Sequence, residues 1–260
     1  MNELSKVIDI KRFPVGDAAF GEAKKAQLDA TGVLAMKGFI NADALRELVD
    51  EANQLSSRAF FRPDTHNVYL SPPSSDFPDH HPRNRLVSSS KGCVCDDEVP
   101  SGSKLRALYD SEVFKAFLCR VLGEQVLYPY ADPLSSINVH YARAGEELGW
   151  HFDNSSFALT LMLQSPEEGG EFEYVPALRD ADNGEMNYEG VAKVLDGDET
   201  PLQLSMPAGT LVLFRGRNAL HRVAPVKGNT TRILVVLAYN AQPDVSLSES
   251  ARMTFYGRLN

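Results

Sequence analysis

Two histidines and an aspartate are spaced in this chain as the protein ligands of a metal ion could be. His151 and Asp153 are two positions apart, and His221 follows the apolar run TLVLFRGRNAL. Because residues i and i+2 of a strand point to the same face, the first two side chains can reach one ion. We expect His221, at a turn, to supply the third ligand. Two imidazoles and a carboxylate suit iron(II) and leave positions open for other molecules, although zinc can use three such ligands.

Arg232 follows these residues inside the apolar segment TRILVVLAY, 231–239. Alternation along a strand puts it on one face with Leu234, Val236 and Ala238, and both faces of this strand are expected to be buried. A buried guanidinium needs an anionic partner, because an unpaired buried charge destabilises the fold by several kcal/mol. The partner is either an internal Asp or Glu or the carboxylate of a bound oxo acid such as 2-oxoglutarate.

Composition excludes several classes of protein. The 260 residues are 43% hydrophobic and carry a net charge of −9, which argues against a nucleic-acid partner. There is no apolar run of membrane-spanning length and no secretory signal at the N-terminus, so no membrane partner is expected. Three cysteines are too few and odd in number for a disulfide framework. We expect a cytoplasmic protein with reduced thiols, acting on a small molecule as a monomer or homodimer.

Helical patterns dominate the first half of the chain. Helices are expected over 17–31, from Asn41 to about residue 58, and from Ser103 to about Leu122, each begun by a capping residue. A short strand is expected over 33–40. The segment 62–103 is rich in Pro, Ser, Asp and His and is expected to be a long loop. Loops of this length are often functional, so it is a candidate lid.

Short β-type runs separated by Gly, Pro and Asn dominate the second half. They are 125–130, 135–142, 157–164, 171–175, 210–215 and 231–239. An acidic insertion at 176–200, with a short helix at 188–196, is a second candidate lid. This order predicts an α+β fold, an antiparallel sandwich or barrel with the N-terminal helices packed outside. We expect one domain over 1–260, with 1–124 mainly helical and loop and 125–260 as the β core.

These motifs resemble those of the iron(II)- and 2-oxoglutarate-dependent oxygenases with a double-stranded β-helix (jelly-roll, cupin-like) core. Further segments are similar to the free-amino-acid (lysine-type) halogenases and their hydroxylase relatives. They are GWHFD at 149–153, FALTLMLQ at 157–164, EGGEFEY at 168–174, PRNR at 82–85 and TFYGR at 254–258. The resemblance implies Fe(II) on His151, Asp153 and His221 as the catalytic centre, 2-oxoglutarate on Arg232, and O2 as the oxidant.

One position separates the two chemistries of that group. In its halogenases the acidic ligand is replaced by Gly, and chloride takes the vacant place on the metal. Position 153 of this chain is Asp, so the resemblance implies a hydroxylase that acts on an unactivated C–H bond of a free amino acid or a derivative. Desaturation or ring closure on the same scaffold remains open. So do a zinc hydrolase, which gives Arg232 no role, and a non-catalytic β-barrel that binds a metal or ligand.

Other residues are candidates for cosubstrate and substrate binding. Asn138 and His140 share one face of INVHYA. Asn138 is expected to donate a hydrogen bond to the oxo acid. His140 is expected to be a hydrogen-bonded residue next to the metal ligands or a core residue, and not a ligand itself. Arg83 and Arg85 either reach a substrate carboxylate or are solvated surface charges. The resemblance places Asn154 where lysine-using members carry an acidic residue, so a substrate ammonium loses a charge-assisted bond here. Tyr256 is a further candidate for lining the pocket.

Overall fold

The computed structural model describes residues 3–260, and the first two positions of the expected domain lie outside the described residues. Six α-helices are present in that range: α1 Ala18–Thr31, α2 Ala42–Leu55, α3 Lys104–Tyr109, α4 Glu112–Leu122, α5 Tyr188–Asp196 and α6 Glu249–Tyr256. The strands in the first half are β1 Val33–Met36, β2 Phe60–Phe61, β3 Asp64–Asn67, β4 Leu86–Ser89 and β5 Gly92–Val94. The remaining strands are β6 Ile137–Ala142, β7 Leu148–His151, β8 Ala158–Gln164, β9 Glu168–Gly169, β10 Phe172–Val175, β11 Leu202–Leu204, β12 Leu211–Phe214, β13 Leu220–Val223, β14 Val226–Lys227 and β15 Arg232–Leu237.

Two antiparallel sheets carry the fold. The larger has the strand order β1-β12-β8-β15-β6-β5-β2, and the smaller has the order β11-β10-β13-β7-β4-β3. Strand β15 lies in the middle of the larger sheet, paired with β6 on one side and β8 on the other. The expected combination of helices with antiparallel strands is therefore confirmed.

The helices pack on one face of the larger sheet, and the alternation of β15 shows how. Ile233, Val235 and Leu237 are buried in the main apolar core together with residues of α1, α2, α3 and α4. The intervening side chains, beginning with Arg232 and Leu234, line a cavity on the other face. Because side chains alternate along a strand, one face of β15 stabilises the core and the other faces a binding cavity.

Local capping explains most helix boundaries. The Asp17 side chain accepts from the N–H groups of Ala19 and Phe20 at the start of α1, and Gly32 with φ +71° ends that helix. The single helix expected from Ser103 to Leu122 is wrong, because it is two helices. The second, α4, restarts where the Ser111 side chain accepts from the N–H of Phe114.

Two further expectations about the chain are wrong. The segment 62–103 is not one loop, since β3, β4 and β5 lie in it and extend both sheets. The sequences of β3 (DTHN) and β4 (LVSS) do not predict strands, because they lack a continuous apolar run and most of their residues are only partly buried or exposed. Conversely, 125–130 forms no strand and contributes one isolated bridge, Tyr128 to Asn240. The helix expected at 188–196 is α5.

Within residues 3–260, none of the helices combines the length and the apolar character needed to cross a membrane.

Candidate metal and cosubstrate site

The three candidate metal ligands meet at the end of the smaller sheet. His151 is the last residue of β7 and lies directly opposite His221 of β13, with ring centroids 4.1 Å apart. His221 therefore lies on a strand, and the turn position expected for it from the sequence is wrong. Asp153 lies just beyond β7, where its N–H donates to the carbonyl of Gly216 at 3.1 Å. One ligand atom of each of the three residues lies within 4.8 Å of the others.

Backbone carbonyls fix the orientation of both imidazoles. Nδ1 of His151 lies 2.8 Å from the carbonyl oxygen of Gly149, and Nδ1 of His221 lies 3.0 Å from that of Ala219. Because a carbonyl oxygen only accepts, each Nδ1 carries the proton and each Nε2 presents a lone pair. The two Nε2 atoms lie 3.8 Å and 3.5 Å from Oδ1 of Asp153. Two nitrogen lone pairs and a carboxylate oxygen thus point toward one place.

The electrostatics keep these donors in the forms that bind metal. Burial, helped by the neighbouring His221, lowers the pKa of His151 to about 3, so its ring is neutral at pH 7. Burial alone would raise the pKa of the Asp153 carboxyl, but His221 and His151 together hold it below its usual value. Oδ2 of Asp153 is buried without a hydrogen-bond partner. A divalent cation bound between Oδ1 and the two Nε2 atoms would neutralise this buried carboxylate, and the donor set suits iron(II).

Arg232 is a second buried group that lacks a partner. It is 4% exposed, and burial lowers the pKa of its guanidinium to about 10. Among residues 3–260 no carboxylate lies within ion-pairing distance of it, and its Nε is buried without a hydrogen-bond partner. The internal Asp or Glu that could have neutralised it is thus absent from the described chain. A carboxylate brought in by a ligand would complete the pair.

Two cavities flank the metal ligands. The inner cavity, of about 270 Å³, contains all three candidate ligands and Arg232, and its apolar walls include Phe172, Phe214 and Leu234. The outer cavity, of about 240 Å³, reaches His151 and Asp153 from the other side and is lined by side chains of β2, β3, β4 and α6. Lys91, Leu148, His151 and Asp153 line both. The site is therefore accessible to one ligand in the cavity that holds Arg232 and to another in the outer cavity.

The remaining candidate residues do not line these two cavities, with the exception of His140. Its Nδ1 lies 2.9 Å from Nζ of Lys91 in the inner cavity. Nδ2 of Asn138 donates to the carbonyl of Leu134 at 3.1 Å, and Asn138 lines a separate space of about 180 Å³ beside Tyr256. The roles predicted for Asn138 and Tyr256 stay predictions.

Arg83, Arg85 and Asn154 have other partners in this structure. Nη2 of Arg83 donates to the carbonyl of Pro72 at 3.1 Å. Arg85 forms an ion pair with Asp196 and donates to the carbonyl of Leu195. The Asn154 carbonyl accepts from Arg217 at 3.2 Å. The structure thus brings the metal ligands and Arg232 together but leaves these three outside.

The two candidate lid segments contact each other. In the loop between β3 and β4, the rings of Phe77 and His81 stack at 4.2 Å, and both contact Tyr188 of α5. The ion pair between Arg85 and Asp196 joins the same two segments. A movement of either segment would therefore have to break contacts with the other.

Sequence patterns missed three residues at the site. Lys91 and Asp64 lie in the polar segment 62–103, where charged residues are expected to be solvated, yet both line the outer cavity. Gly216 lies against Asp153, so that a Cβ at position 216 would come within 1.8 Å of Oδ2. Its place five residues before His221 is the only signal in the sequence, and that signal is weak.

Comparison with known proteins agrees with this geometry. The family model described as Halogenase D matches residues 17–255, and no curated protein sequence matches the chain. The fold is similar to an oxidoreductase of the 2OG-Fe(II) oxygenase family from Burkholderia pseudomallei, at 15% identity and a TM-score of 0.54, over 87% of this chain and 93% of that one.

Two other solved structures share the fold. The epimerase SnoN, in complex with Fe3+, alpha ketoglutarate and nogalamycin RO, is 16% identical with a TM-score of 0.59, over 86% of this chain and 84% of that one. A Pseudomonas putida prolyl-4-hydroxylase is 13% identical with a TM-score of 0.52, over 83% and 97%. Family, fold and the His-Asp-His triad are consistent with Fe(II), 2-oxoglutarate and O2 as cofactors.

Proposed function

The chain belongs to the halogenase D family, and we propose that it catalyses the iron(II)- and 2-oxoglutarate-dependent hydroxylation of an unactivated C–H bond in a free amino acid or an amino-acid derivative. One observation carries this proposal. His151, Asp153 and His221 present their donor atoms to one place, in a cavity that also holds Arg232 without an internal anion. A zinc hydrolase would leave that buried guanidinium without a function.

Each residue has a defined task in this proposal. His151, Asp153 and His221 hold Fe(II), and Arg232 binds the distal carboxylate of 2-oxoglutarate. When bound, iron(II) with 2-oxoglutarate and dioxygen supplies the oxidising power for C–H cleavage, coupled to decarboxylation to succinate. The hydrogen bonds from Nδ1 to backbone carbonyls hold both imidazoles with Nε2 directed at the place where the metal would bind. The apolar walls of the inner cavity limit the entry of water.

Asp153 supports hydroxylation over halogenation within this family. A halide can bind the metal only where the protein leaves a place for it, and the Asp153 carboxylate takes that place here. The two neighbouring histidines hold its pKa below the usual value, which favours the ionised form that binds metal. The name of the family therefore does not carry over to the reaction we propose.

The outer cavity supports a substrate of amino-acid size. Its volume is about 240 Å³, below the roughly 300–1,000 Å³ typical of pockets for drug-sized ligands, which suits a small molecule such as a free amino acid. A direct substrate contact by Arg85 would require its side chain to leave Asp196. The contacts expected of Arg83, Asn154 and Tyr256 also stay predictions.

We also take the two sheets as the halves of a double-stranded β-helix within one oxygenase domain. We assign the protein to the cytoplasm, because Cys93, Cys95 and Cys119 are all free thiols, as a reducing compartment keeps them.

The proposal is tested by adding a panel of amino acids to protein loaded with iron(II) and 2-oxoglutarate under air. Wild-type protein should form succinate faster with at least one amino acid, and that amino acid should gain one oxygen atom. His221→Ala should do neither. A product that has lost two hydrogens instead would point to desaturation or ring closure, and no stimulation by any amino acid would contradict the proposal.

A further inference from the structure

Lys91 is a third charged group at the site and has no function so far. It directly precedes β5 and lines both the inner and the outer cavity. Its ammonium nitrogen lies 2.9 Å from Nδ1 of His140 and 5.8 Å from the centre of the Phe255 ring. The pairing of Cys93 with His140 between β5 and β6 brings these side chains together. Lys91 therefore lies where the two cavities meet.

The bonding capacity of this ammonium group is not used up. It carries three N–H donors, and His140 can accept only one. Burial, together with the cations Lys91 and Arg232, holds the pKa of His140 well below its usual value, so the ring is a neutral acceptor. Among residues 3–260 no carboxylate lies within ion-pairing distance of Lys91. The Asp153 carboxylate acts on Lys91 only from beyond ion-pairing distance. This desolvated ammonium therefore lacks a contacting anion and can take a negatively charged ligand.

That ligand is not the cosubstrate, if the proposed function is correct. 2-Oxoglutarate has two carboxylates, and Arg232 and the metal ion would balance their charges. Lys91 also lines the outer cavity, which Arg232 does not reach. The anion it requires therefore belongs to a different molecule, one that enters from the outer side.

The outer cavity offers a matching group for a positive charge. Asp64 of β3 lines it, and the one hydrogen bond of the Asp64 carboxylate is from the N–H of Thr65 to Oδ1 at 2.8 Å. The described chain provides no cation within ion-pairing distance of Asp64. Oδ2 is therefore available to an ammonium group.

The rest of the cavity is mainly apolar. Phe60, Leu70, Leu148 and Phe255 line it, and the only carboxylates are Asp64 and the candidate metal ligand Asp153. A substrate with two ammonium groups would find no acceptor for the second, while Arg62 and Lys91 would repel it. A neutral, apolar side chain would instead pack against the aromatic and aliphatic walls.

We propose that Lys91 binds the carboxylate and Asp64 the α-ammonium group of the substrate, which is a small amino acid with an uncharged, apolar side chain. This inference rests on the proposed function and narrows it to a substrate class. It assigns specificity to two residues that lie in the polar segment between α2 and α3.

Binding measured without oxygen tests this assignment independently of turnover. Calorimetric titration of protein loaded anaerobically with iron(II) and 2-oxoglutarate would use L-leucine, L-leucinamide, 4-methylpentanoate and L-lysine as probes. Wild-type protein should bind L-leucine more tightly than the other three. Lys91→Met should weaken L-leucine binding by roughly 30-fold or more while leaving that of L-leucinamide nearly unchanged, as expected for loss of a buried charge pair. Lys91→Arg should keep part of the preference.

Asp64→Asn and Lys24→Met complete the design. Asp64→Asn should remove the preference for L-leucine over 4-methylpentanoate. Lys24→Met, on α1 and outside both cavities, should change neither preference. The assignment is overturned if Lys91→Met keeps the preference for L-leucine over L-leucinamide. It is also overturned if this variant weakens the binding of 2-oxoglutarate instead of that of L-leucine. Tight binding of L-lysine would overturn it too. Failure of every amino acid to be oxidised would instead count against the hydroxylase reaction.

Discussion

The Cα of Gly216 lies so close to the carboxylate of Asp153 that no side chain fits between them. A Cβ at position 216 would come within 1.8 Å of Oδ2 and 2.6 Å of Cγ, and within 3.0 Å of the His221 ring. The neighbouring carbonyl of Gly216 also accepts from the N–H of Asp153. Gly216 thus fixes both the backbone and the side chain of a candidate metal ligand.

Gly216→Ala should therefore weaken metal binding by roughly 10- to 100-fold, the usual effect of disturbing groups that orient metal ligands. The methyl group would displace the Asp153 carboxylate from its present position relative to the two Nε2 atoms. Calorimetric titration of iron(II) under anaerobic conditions measures this. The matched control is Gly102→Ala, where a Cβ would have nothing within 4 Å. Equal affinities of the two variants would show that Asp153 is not held as described.

Replacement of Arg232 should separate the stability of the protein from its binding of 2-oxoglutarate. Arg232→Met removes a buried cation that lacks an internal partner, so the ligand-free protein should not lose stability and should gain some. The affinity for 2-oxoglutarate should fall by roughly 30-fold or more. Thermal unfolding with and without metal and 2-oxoglutarate measures both effects, with Arg46→Met on the exposed face of α2 as control. An unchanged affinity would remove Arg232 from the cosubstrate site.

Asp153→Gly tests why the carboxylate favours hydroxylation. The variant should bind iron(II) more weakly through His151 and His221 and, with chloride present, should give some chlorinated product. Mass spectrometry of the product identifies it, with Asp153→Asn as the control that fills the space with a neutral group. If Asp153→Gly binds no metal at any concentration, the carboxylate is required to hold the ion, and the argument from the halogenases fails.

Acid should destabilise the metal-free protein through His151. The folded-state pKa of His151, about 3, is far below that of an unfolded histidine, about 6.5. The unfolded chain therefore binds the extra proton first, and stability falls as the pH drops from about 6.5 toward 3. Asp153 adds a loss of the same sign at still lower pH, because its pKa is also depressed.

Replacing the ring by an amide that cannot be protonated should flatten this dependence. His151→Gln should lose less free energy of unfolding than wild type between pH 6.5 and 3, by up to several kcal/mol at about 1.36 kcal/mol per unit of pKa shift. Urea unfolding of the metal-free proteins at a series of pH values measures it. Parallel curves for the two proteins would mean that His151 is not buried as a neutral ring.

Strong periodicity is what made the central strands predictable. The strands expected at 135–142, 157–164 and 231–239 correspond to β6, β8 and β15 to within a few residues. Each has one face in the main core, so hydrophobic alternation is enforced there. The same periodicity made Arg232 recognisable, because its apolar neighbours in the sequence predicted a buried guanidinium without contact to solvent.

The outer cavity could not be predicted from the sequence, because the strands that line it lack strong hydrophobic periodicity. Strands β3 and β4 present polar side chains to a binding space, so their sequences look like a loop. Lys91 and Asp64 are ordinary charged residues in such a segment, and only the fold shows that both line the outer cavity. The role of Gly216 depends on an approach between two segments that are more than sixty residues apart in the chain. No local pattern records such an approach.

The most direct test of the central claim is to follow labelled oxygen. Wild-type protein with iron(II), 2-oxoglutarate, an accepted amino acid and isotopically labelled dioxygen should place one labelled atom in succinate and one in the hydroxylated amino acid. The yields of the two products should be equal, and both should vanish in His221→Ala. Succinate with an unmodified amino acid, or an amino acid that takes its oxygen from water, would contradict the account.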